Sequence, residues 1–448
     1  MPFTDKDTSA RIARARAARI AVPAVCHAEF PSALQRADPL SLLAQQDSGR
    51  VPQLLPLRYT RLAASPLSYF HGTALSAAAD LAATPRTGFA VQACGDAQLA
   101  NFGLFAAQGR KLVFDFADFD ETLRAPWEWD VKRLAASFEV TAREIGHPAG
   151  QRRRTVLAAV ESYRLAMHEF ARRTPLEIFF APPDPRTLRT VAAHRLGPAR
   201  RRASFRHTEI RDGRLKLAAR APWAVAAGRL GGDGDPATLA DRLCTVLRPY
   251  RRTLGAARRA MLDRYRLADA ARAAPGPTSS GARCWVALLV RTDTGDPLLL
   301  QLKEARPSVL QEYTGTSALD SPGRRVVAGQ RLIQAAGDVF LGWARSPGFD
   351  GPARDFHVRG LRDDRGSGDV AAMTPDVLRA NARLCGWTVA KAHARTGDAL
   401  AIAAYLGSGP GFAEAVREFA TACADQNERD HAALRRAIRA GRVAAAGS

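Results

Sequence analysis

Residues 92–121 read QACGDAQLANFGLFAAQGRKLVFDFADFDE, and they hold the densest set of informative residues in the chain. Apolar runs at 102–106 and 111–116 flank Gln108-Gly109-Arg110, a pattern that predicts a β-hairpin. The turn Cys94-Gly95-Asp96 precedes the hairpin. The second strand of the hairpin ends in four acids: Asp115, Asp118, Asp120 and Glu121. Carboxylates so close together repel one another unless a cation or hydrogen-bond donors offset their charge. Oxygen ligands of this kind suit Mg²⁺ bound together with phosphates.

The spacing in this stretch resembles that of kinases. Asp96 precedes Asn101 by five positions, the interval between the catalytic Asp and the metal-binding Asn of protein kinases. Small-molecule kinases of the aminoglycoside and choline type carry H-G-D-x-H-x-x-N followed by I-D-F, and C-G-D-A-Q-L-A-N followed by F-D-F is similar. The resemblance implies that Asp96 is catalytic and that Asn101 and Asp115 hold Mg²⁺, with Asp118 or Asp120 assisting. Gln98 and Cys94 stand where those enzymes have His.

Two other interpretations of the acids stay open. A G-D-x-x-x-x-N pattern also arises by chance, and an acidic hairpin end is also typical of a solvated edge. For Asp118, Asp120 and Glu121, a place in a surface turn is as good a hypothesis as a place in a site.

A second candidate element lies near residue 300. The small-residue segment 274–281 precedes apolar runs at 284–290 and 298–303, and the second run ends in Lys303. A kinase N-lobe begins in this way, with a Gly-rich loop over the phosphates and a strand Lys that contacts them. We therefore predict nucleotide contacts from Gly276, Ser279, Ser280, Gly281 and Lys303. Pro275 and Pro277 make the loop a degenerate version of that pattern.

Lys303 needs an anionic partner if it is buried. The helix predicted at 326–340 offers no clear Glu, and Glu312, Gln330 and Gln334 are weak candidates. An edge-strand Lys neutralised by Glu304 is the alternative.

The order of these elements differs from that of ordinary kinases, in which the loop and strand Lys come first. From Gly276 onward, however, the chain runs through loop, strand Lys, helix, strand and a long helix that ends near His393. We therefore predict an α+β, protein-kinase-like two-lobed fold that is circularly permuted, with a helical C-lobe and a small β-rich N-lobe. Permutation is tolerated because domain termini usually lie at the surface and often close together.

The predicted division of the chain follows from that order. It comprises a loosely packed basic N-terminal arm (1–56), a catalytic hairpin with helical C-lobe (57–270), an N-lobe-like β domain (271–372) and C-terminal helices (373–448). Within these parts the apolar spacing predicts helices at 130–145, 152–172, 236–268, 376–393 and 413–439.

Several motifs resemble a bacterial family known only as domain of unknown function 2252. They are CGDAxLxNFG, FDFxDFDET, PWEWDxKRLAAS, QLKEARPSVL, RVVAGQRLIQ, KAHARTGD and FAxxxADQNERD, and they cover most of residues 57–440. The resemblance implies no activity, so function has to be inferred from the residues.

Composition restricts the possible partners. The chain has 448 residues, a net charge of +21 and 65 basic residues, of which only six are lysines. Because the arginines are spread along the chain, we do not expect nucleic acid as the partner. The cluster at Arg195, Arg200, Arg201, Arg202 and Arg206 suits either an anionic substrate or a solvated loop. Six scattered cysteines and no apolar run of about 18 residues favour a cytoplasmic protein with reduced thiols.

The sequence therefore predicts an ATP- and Mg²⁺-dependent phosphotransferase that acts on an unknown hydroxyl-bearing acceptor. The same residues would serve nucleotidyl transfer, and the degenerate loop also fits a nucleotide-binding pseudokinase or sensor. A metal-dependent hydrolase and a nucleic-acid-binding protein are weaker alternatives, and the sequence does not specify the oligomeric state.

Overall fold

The structure, a computed structural model, describes residues 5–106, 112–196, 208–211, 214–217, 224–225, 236–273, 281–334, 337–347, 351–361 and 369–446. Gly276, Ser279, Ser280 and the arginines at 200–206 lie outside these residues. The fold is α+β: helices surround one large core, and a six-stranded antiparallel sheet carries Lys303.

The helices, in chain order, are α1 (Asp5–Ala21), α2 (Pro39–Asp47), α3 (Leu55–Ala63), α4 (Pro66–Gly72), α5 (Ala74–Ala82), α6 (Trp127–Glu144), α7 (Ala149–Phe170), α8 (Pro175–Phe180), α9 (Pro185–Arg195), α10 (Pro236–Arg252), α11 (Ala256–Leu262), α12 (Gln311–Thr314), α13 (Pro322–Ile333), α14 (Pro375–Thr396), α15 (Ala399–Leu406) and α16 (Gly411–Arg439). The strands are β1 (Ala90–Ala93), β2 (Phe102–Ala106), β3 (Leu112–Phe116), β4 (Leu123–Pro126), β5 (Thr208–Arg211), β6 (Arg214–Leu217), β7 (Ala224–Val225), β8 (Tyr265–Ala273), β9 (Cys284–Arg291), β10 (Pro297–Ala305), β11 (Gly342–Pro347) and β12 (Ala353–Gly360).

The helical part is centred on α6, α7 and α14. Thr374 caps the N-terminus of helix α14, where its hydroxyl accepts from the N–H of Val377, and the helix packs along α7. The two helices approach closely at Gly386, where a Cβ would lie 2.1 Å from the carbonyl oxygen of Ala159. Tyr163 of α7 also stacks on Trp127 of α6, with ring centroids 5.6 Å apart. These contacts fix α6 and the end of α14 beside strand β1.

The six-stranded sheet has the order β11-β12-β10-β9-β8-β7. Side chains alternate along β10, so Leu300 and Leu302 face the apolar cluster that contains α10. Gln301 and Lys303 therefore point to the opposite face. Lys303 lies between His357 of β12 and Cys284 of β9 in the register of the sheet, so the sheet supports its backbone on both sides.

The N-terminal segment packs onto the helices, which differs from the loose arm expected from the sequence. Arg11 pairs with Asp398 at 2.5 Å. The His27 ring lies 2.6 Å from the hydroxyl of Tyr405. Arg36 bridges carboxylates of α5 and α16 at 2.7 and 2.8 Å. These partners are far away in sequence, which is why composition alone did not indicate them.

The described elements agree with most of the predicted ones, including the hairpin β2-β3. One exception is the helix predicted at 236–268, because α11 ends at Leu262 and Tyr265–Ala273 forms β8. The other is the helix predicted at 326–340. The corresponding helix in the structure, α13, begins at Pro322 and ends at Ile333. Among the helices that the structure describes, none combines the length and the apolar character that crossing a bilayer requires.

Candidate functional site

The turn Cys94-Gly95-Asp96 is fixed by a buried carboxylate. Asp130 of α6 accepts hydrogen bonds from the backbone N–H of Cys94 at 2.7 Å and of Gly95 at 3.0 Å. Gly95 has φ +86°, and a Cβ there would lie 2.2 Å from the carbonyl oxygen of Glu121. Only glycine allows this backbone conformation together with this close approach. The turn is therefore held against residues 117–122, the acidic loop that follows the hairpin.

The end of α14 reaches the same carboxylate. His393 Nε2 lies 3.2 Å from Asp130, and its Nδ1 lies 2.9 Å from the hydroxyl of Tyr163. Burial, with the charges of Glu128 and Asp130, raises the pKa of Tyr163 well above its ordinary value. The hydroxyl therefore stays protonated beside the ring. His393 thus lies beside the turn, and both are bound to the same carboxylate.

Asp96 points into a network of donors. One oxygen accepts from Arg133 Nε at 3.0 Å, and the other accepts from Gln98 Nε2 at 2.6 Å and Asn101 Nδ2 at 3.2 Å. Burial raises the pKa of Asp96, although Arg133 and Gln98 oppose that shift. Asn101 also donates to the backbone oxygen of Asp96 at 2.8 Å, so the interval between them closes a compact loop.

The acidic loop meets the sheet at Lys303. The ammonium group contacts the carboxylate of Asp120 directly and lies 3.4 Å from that of Asp118. Burial alone would lower the pKa of Lys303, but the two carboxylates raise it, so the side chain stays charged. Burial opposes the ionisation of Asp118, yet Lys303, Arg359 and His357 together lower its pKa. Burial and the charge of Asp118 raise the pKa of Asp120. The Oδ1 atom of Asp120 is buried, and it has no hydrogen-bond partner in the described part of the chain.

Two arginines hold the backbone of the acidic loop. Arg325 of α13 donates to the carbonyl oxygens of Asp120 and Thr122, both at 2.6 Å. Arg359 of β12 donates to that of Ala117 at 2.7 Å. Sequence reasoning missed both arginines. Arg325 does lie within the motif RVVAGQRLIQ, so the motif was a signal, whereas a strand Arg such as Arg359 gave none.

A cavity of about 290 Å³ lies between the turn, the acidic loop and Lys303. This is at the lower end of the range for small-molecule sites, roughly 300 to 1,000 Å³. The predicted residues that line it are Asp96, Asn101, Asp118, Asp120 and Lys303. Gly281 directly precedes Ala282 in the wall. The segment from Gln45 to Arg50 and the first turn of α5 also contribute, and sequence reasoning did not assign them to a site.

Asp115 is placed elsewhere. It lies opposite Gly103 in the hairpin and does not line the cavity. Its Oδ1 accepts from the N–H of Phe116 at 2.9 Å. Its charge acts on Lys391 and Arg395 of α14, and it opposes the lowering of the Lys391 pKa by burial to about 8. The structure thus brings Asp118 and Asp120, but not Asp115, to Lys303.

The alternative partners of Lys303 are engaged with other groups. Glu304 pairs with Arg283 at 3.2 Å and Arg354 at 3.0 Å. Gln330 donates to Gln334, which donates to the carbonyl oxygen of Phe116 at 2.8 Å. Glu312 lines the cavity and accepts from Gln45 at 3.0 Å.

Arg195 is a structural residue in this fold. It is fully buried, and it donates to the carbonyl oxygen of Phe102 at 2.6 Å and to Asn381 at 2.9 Å. Of the predicted basic cluster, this arginine therefore supports the hairpin and does not face a ligand.

The cavity offers a partial set of metal ligands. Within the described ranges, no group of three or more His, Cys, Asp or Glu side chains is arranged to hold a metal ion. Mg²⁺, however, is usually bound through one or two carboxylates and the phosphates of a substrate. Asp118, Asp120 with its unpartnered oxygen, and the amide oxygen of Asn101 fit that mode.

The sequence matches a bacterial family. The family described as an uncharacterized protein conserved in bacteria (DUF2252) matches residues 50–437. The chain belongs to this family. The DUF2252 region includes the turn, the hairpin, the acidic loop, the sheet with Lys303 and α14, so every part of the site except residues 45–49 lies within it. No curated protein and no solved structure matches the chain.

Proposed function

We propose that the protein is an ATP- and Mg²⁺-dependent phosphotransferase with a kinase-like site. The observation that carries this proposal is that Lys303 forms ion pairs with Asp118 and Asp120 in a cavity that Asp96 and Asn101 also line. Phosphoryl transfer depends mainly on positioning and on neutralising charge. A strand lysine, carboxylates for a divalent cation and a buried Asp supply these functions.

Each residue has a role in this proposal. Lys303 binds the nucleotide phosphates, and it gives up part of its ion pairing with Asp118 and Asp120 when it does so. Asp118, Asp120 and Asn101 hold Mg²⁺, which when bound neutralises the charge of the phosphates. Asp96 orients the acceptor hydroxyl and accepts its proton. The raised pKa of Asp96 suits a group that takes up a proton.

The fold that we propose is a circularly permuted, two-lobed, kinase-like one. Two observations support it. The sheet carries the lysine and is followed by a helix, α13, whose Arg325 holds the acidic loop. In the last turn of the long helix α14, His393 then lies within hydrogen-bond distance of Asp130, the carboxylate that fixes the turn Cys94-Gly95-Asp96.

Thermal unfolding of the full chain with ATP, in the presence and absence of Mg²⁺, tests nucleotide binding. We expect ATP with Mg²⁺ to raise the midpoint and Lys303→Ala to remove the shift. No shift for the wild-type chain would refute the proposal.

Transfer is tested with labelled ATP and a panel of hydroxyl-bearing acceptors. We expect γ-labelled ATP to label an acceptor, and Asp96→Asn to lose this while it keeps ATP binding. Asp376→Asn changes an exposed carboxylate of α14 in the same way and is the matched control. Label from the α-phosphate would instead identify nucleotidyl transfer.

A nucleotide-binding pseudokinase or sensor is the second candidate. The observation that favours it is that both oxygens of Asp96 already accept hydrogen bonds, from Arg133, Gln98 and Asn101. A wild-type chain that is stabilised by ATP but labels no acceptor fits this function.

A further inference from the structure

A groove of about 750 Å³ lies on the surface between α7 and α14, and its lining residues differ from those of the candidate site. Leu157 and Leu165 of α7 and Trp387 of α14 give it an apolar floor. Leu165 is 58% exposed. A single exposed leucine is ordinary on a protein surface, but apolar side chains that share one concave surface are typical of a binding site for another molecule.

The indole ring of Trp387 is held in place by its neighbours. It packs against the ring of Phe170 with centroids 5.7 Å apart, and the ammonium group of Lys391 lies 5.4 Å from its centroid. Lys391 in turn donates to the carbonyl oxygen of Ala181 at 2.7 Å. Half-buried aromatic side chains that are held in this way anchor interfaces, because they offer a large apolar area and lose little conformational freedom on binding.

The rim of the groove carries positive charge that the chain itself does not neutralise. Its two acids, Glu161 and Glu169, are each paired with an arginine three or four positions further along the chain. Arg379 is paired with an exposed acid of its own helix. Arg154 and Arg383 are exposed, and within the ranges that the structure describes neither side chain forms an ion pair or a hydrogen bond. Two guanidinium groups beside an apolar floor complement a partner that is both acidic and apolar.

The walls of the groove favour a helix as that partner. Residues 154–165 of α7 extend for about 16 Å, or three helical turns. Both walls are α-helices, whose backbone N–H and C=O groups are bonded within each helix, so an extended peptide finds no strand edge to pair with. An amphipathic helix satisfies its own backbone and can lay its apolar face in the groove.

We propose that this groove binds an acidic amphipathic helix of a partner protein. The apolar residues of that helix, spaced by three or four positions, pack on Leu157, Leu165 and Trp387. Its carboxylates pair with Arg154 and Arg383. Because the groove and the candidate site have no lining residue in common, the inference does not depend on the proposed phosphotransferase function.

Selection of peptides by the full chain, from a displayed random library with room for about four helical turns, tests the proposal. We expect the enriched peptides to carry Asp or Glu beside an apolar stripe of helical period, and to gain helical circular dichroism on binding. In fluorescence anisotropy, Arg154→Gln combined with Arg383→Gln should weaken the binding of an enriched peptide by about tenfold or more, and Leu165→Ala should do the same. Arg435→Gln removes an exposed arginine of α16 that does not line the groove, and it should bind as the wild-type chain does.

Two further measurements identify other occupants of the groove. If the same variants lose binding to vesicles that contain phosphatidylglycerol while no peptide is enriched, the groove contacts a membrane surface and the proposal is wrong. If the wild-type chain self-associates in sedimentation and the variants do not, a second copy covers the groove and the proposal is equally wrong. It is also refuted if the enriched peptides lack acids, or if they bind the variants as tightly as the wild-type chain.

Discussion

Replacement of Lys303 by methionine probes the contact on which the site depends. Methionine keeps much of the length of the side chain and removes the charge, so Asp118 and Asp120 lose their shared cation. Breaking a fully buried ion pair costs about 3–5 kcal/mol. The Asp118 and Asp120 side chains are 24% and 28% exposed, respectively, so water in the cavity weakens the effect. We expect Lys303→Met to lower the free energy of unfolding by about 2–3 kcal/mol at neutral pH.

The loss should depend on pH with a defined sign. In the folded wild-type chain the pKa of Asp118 is lower than in the unfolded chain. The ionised Asp118 therefore stabilises the fold at pH values above the pKa of the unfolded chain, and this stabilisation is lost as the pH falls below it. Without Lys303 that pKa rises, and the folded variant binds a proton more readily than the unfolded chain does. The difference between the wild-type chain and the variant should therefore shrink below about pH 5.

Urea unfolding of the full chain in EDTA gives the measurement. Lys216→Met, a change in strand β6 outside the site, is the matched control. Because two carboxylates without their lysine bind a divalent cation more tightly, Mg²⁺ should stabilise Lys303→Met more than the wild-type chain. A midpoint equal to that of Lys216→Met, or a loss that is insensitive to both pH and Mg²⁺, would refute the pairing.

Three further outcomes follow from the geometry. Asp118→Asn should weaken the binding of ATP with Mg²⁺ more than Asp115→Asn, because only Asp118 lines the cavity; equal calorimetric affinities of the two variants would contradict this. Gly95→Ala should cost more stability than Gly88→Ala. Both glycines have positive φ, and an alanine held in that backbone conformation costs about 1–3 kcal/mol at either position. Only at Gly95 would the added Cβ also collide with a carbonyl oxygen, so equal urea midpoints of the two variants would contradict the clash. Burial and the charge of Lys132 lower the pKa of His27 to about 3, so the folded state resists its protonation. Stability should fall by about 2 kcal/mol from about pH 6.5 to about pH 4.5, and His27→Gln should remove this part of the slope in acid unfolding.

The local parts of the site could be predicted from the sequence. The hairpin, the turn before Asp96 and the strand that ends in Lys303 each follow from short patterns of apolar residues and turn residues. The interval between Asp96 and Asn101 closes a local loop, so sequence spacing alone indicated it. The apolar repeat of α14 also lies within one continuous stretch of sequence, so the helix could be predicted from it.

Choices that depend on distant contacts were not predictable. Asp115 and Asp118 are three residues apart, and only the position of the sheet shows which of them faces Lys303. The strand Tyr265–Ala273 reads YRLADAARA, which suits a helix, but pairing with β9 makes it a strand. In both cases tertiary contacts outweigh the local signal.

The contact between Lys303 and the acidic loop joins residues that are 185 positions apart, and this distance has a consequence for synthesis. A ribosome adds about 5–20 residues per second, so the lysine appears roughly ten to forty seconds after the loop. During that interval the nascent chain carries Asp118 and Asp120 without their cation, and it has no sheet to hold Ala117. His393, which supports the turn, is made later still. A chain truncated anywhere before α14 therefore lacks part of the site, and each molecule acquires its complete site only after α14 has been synthesised.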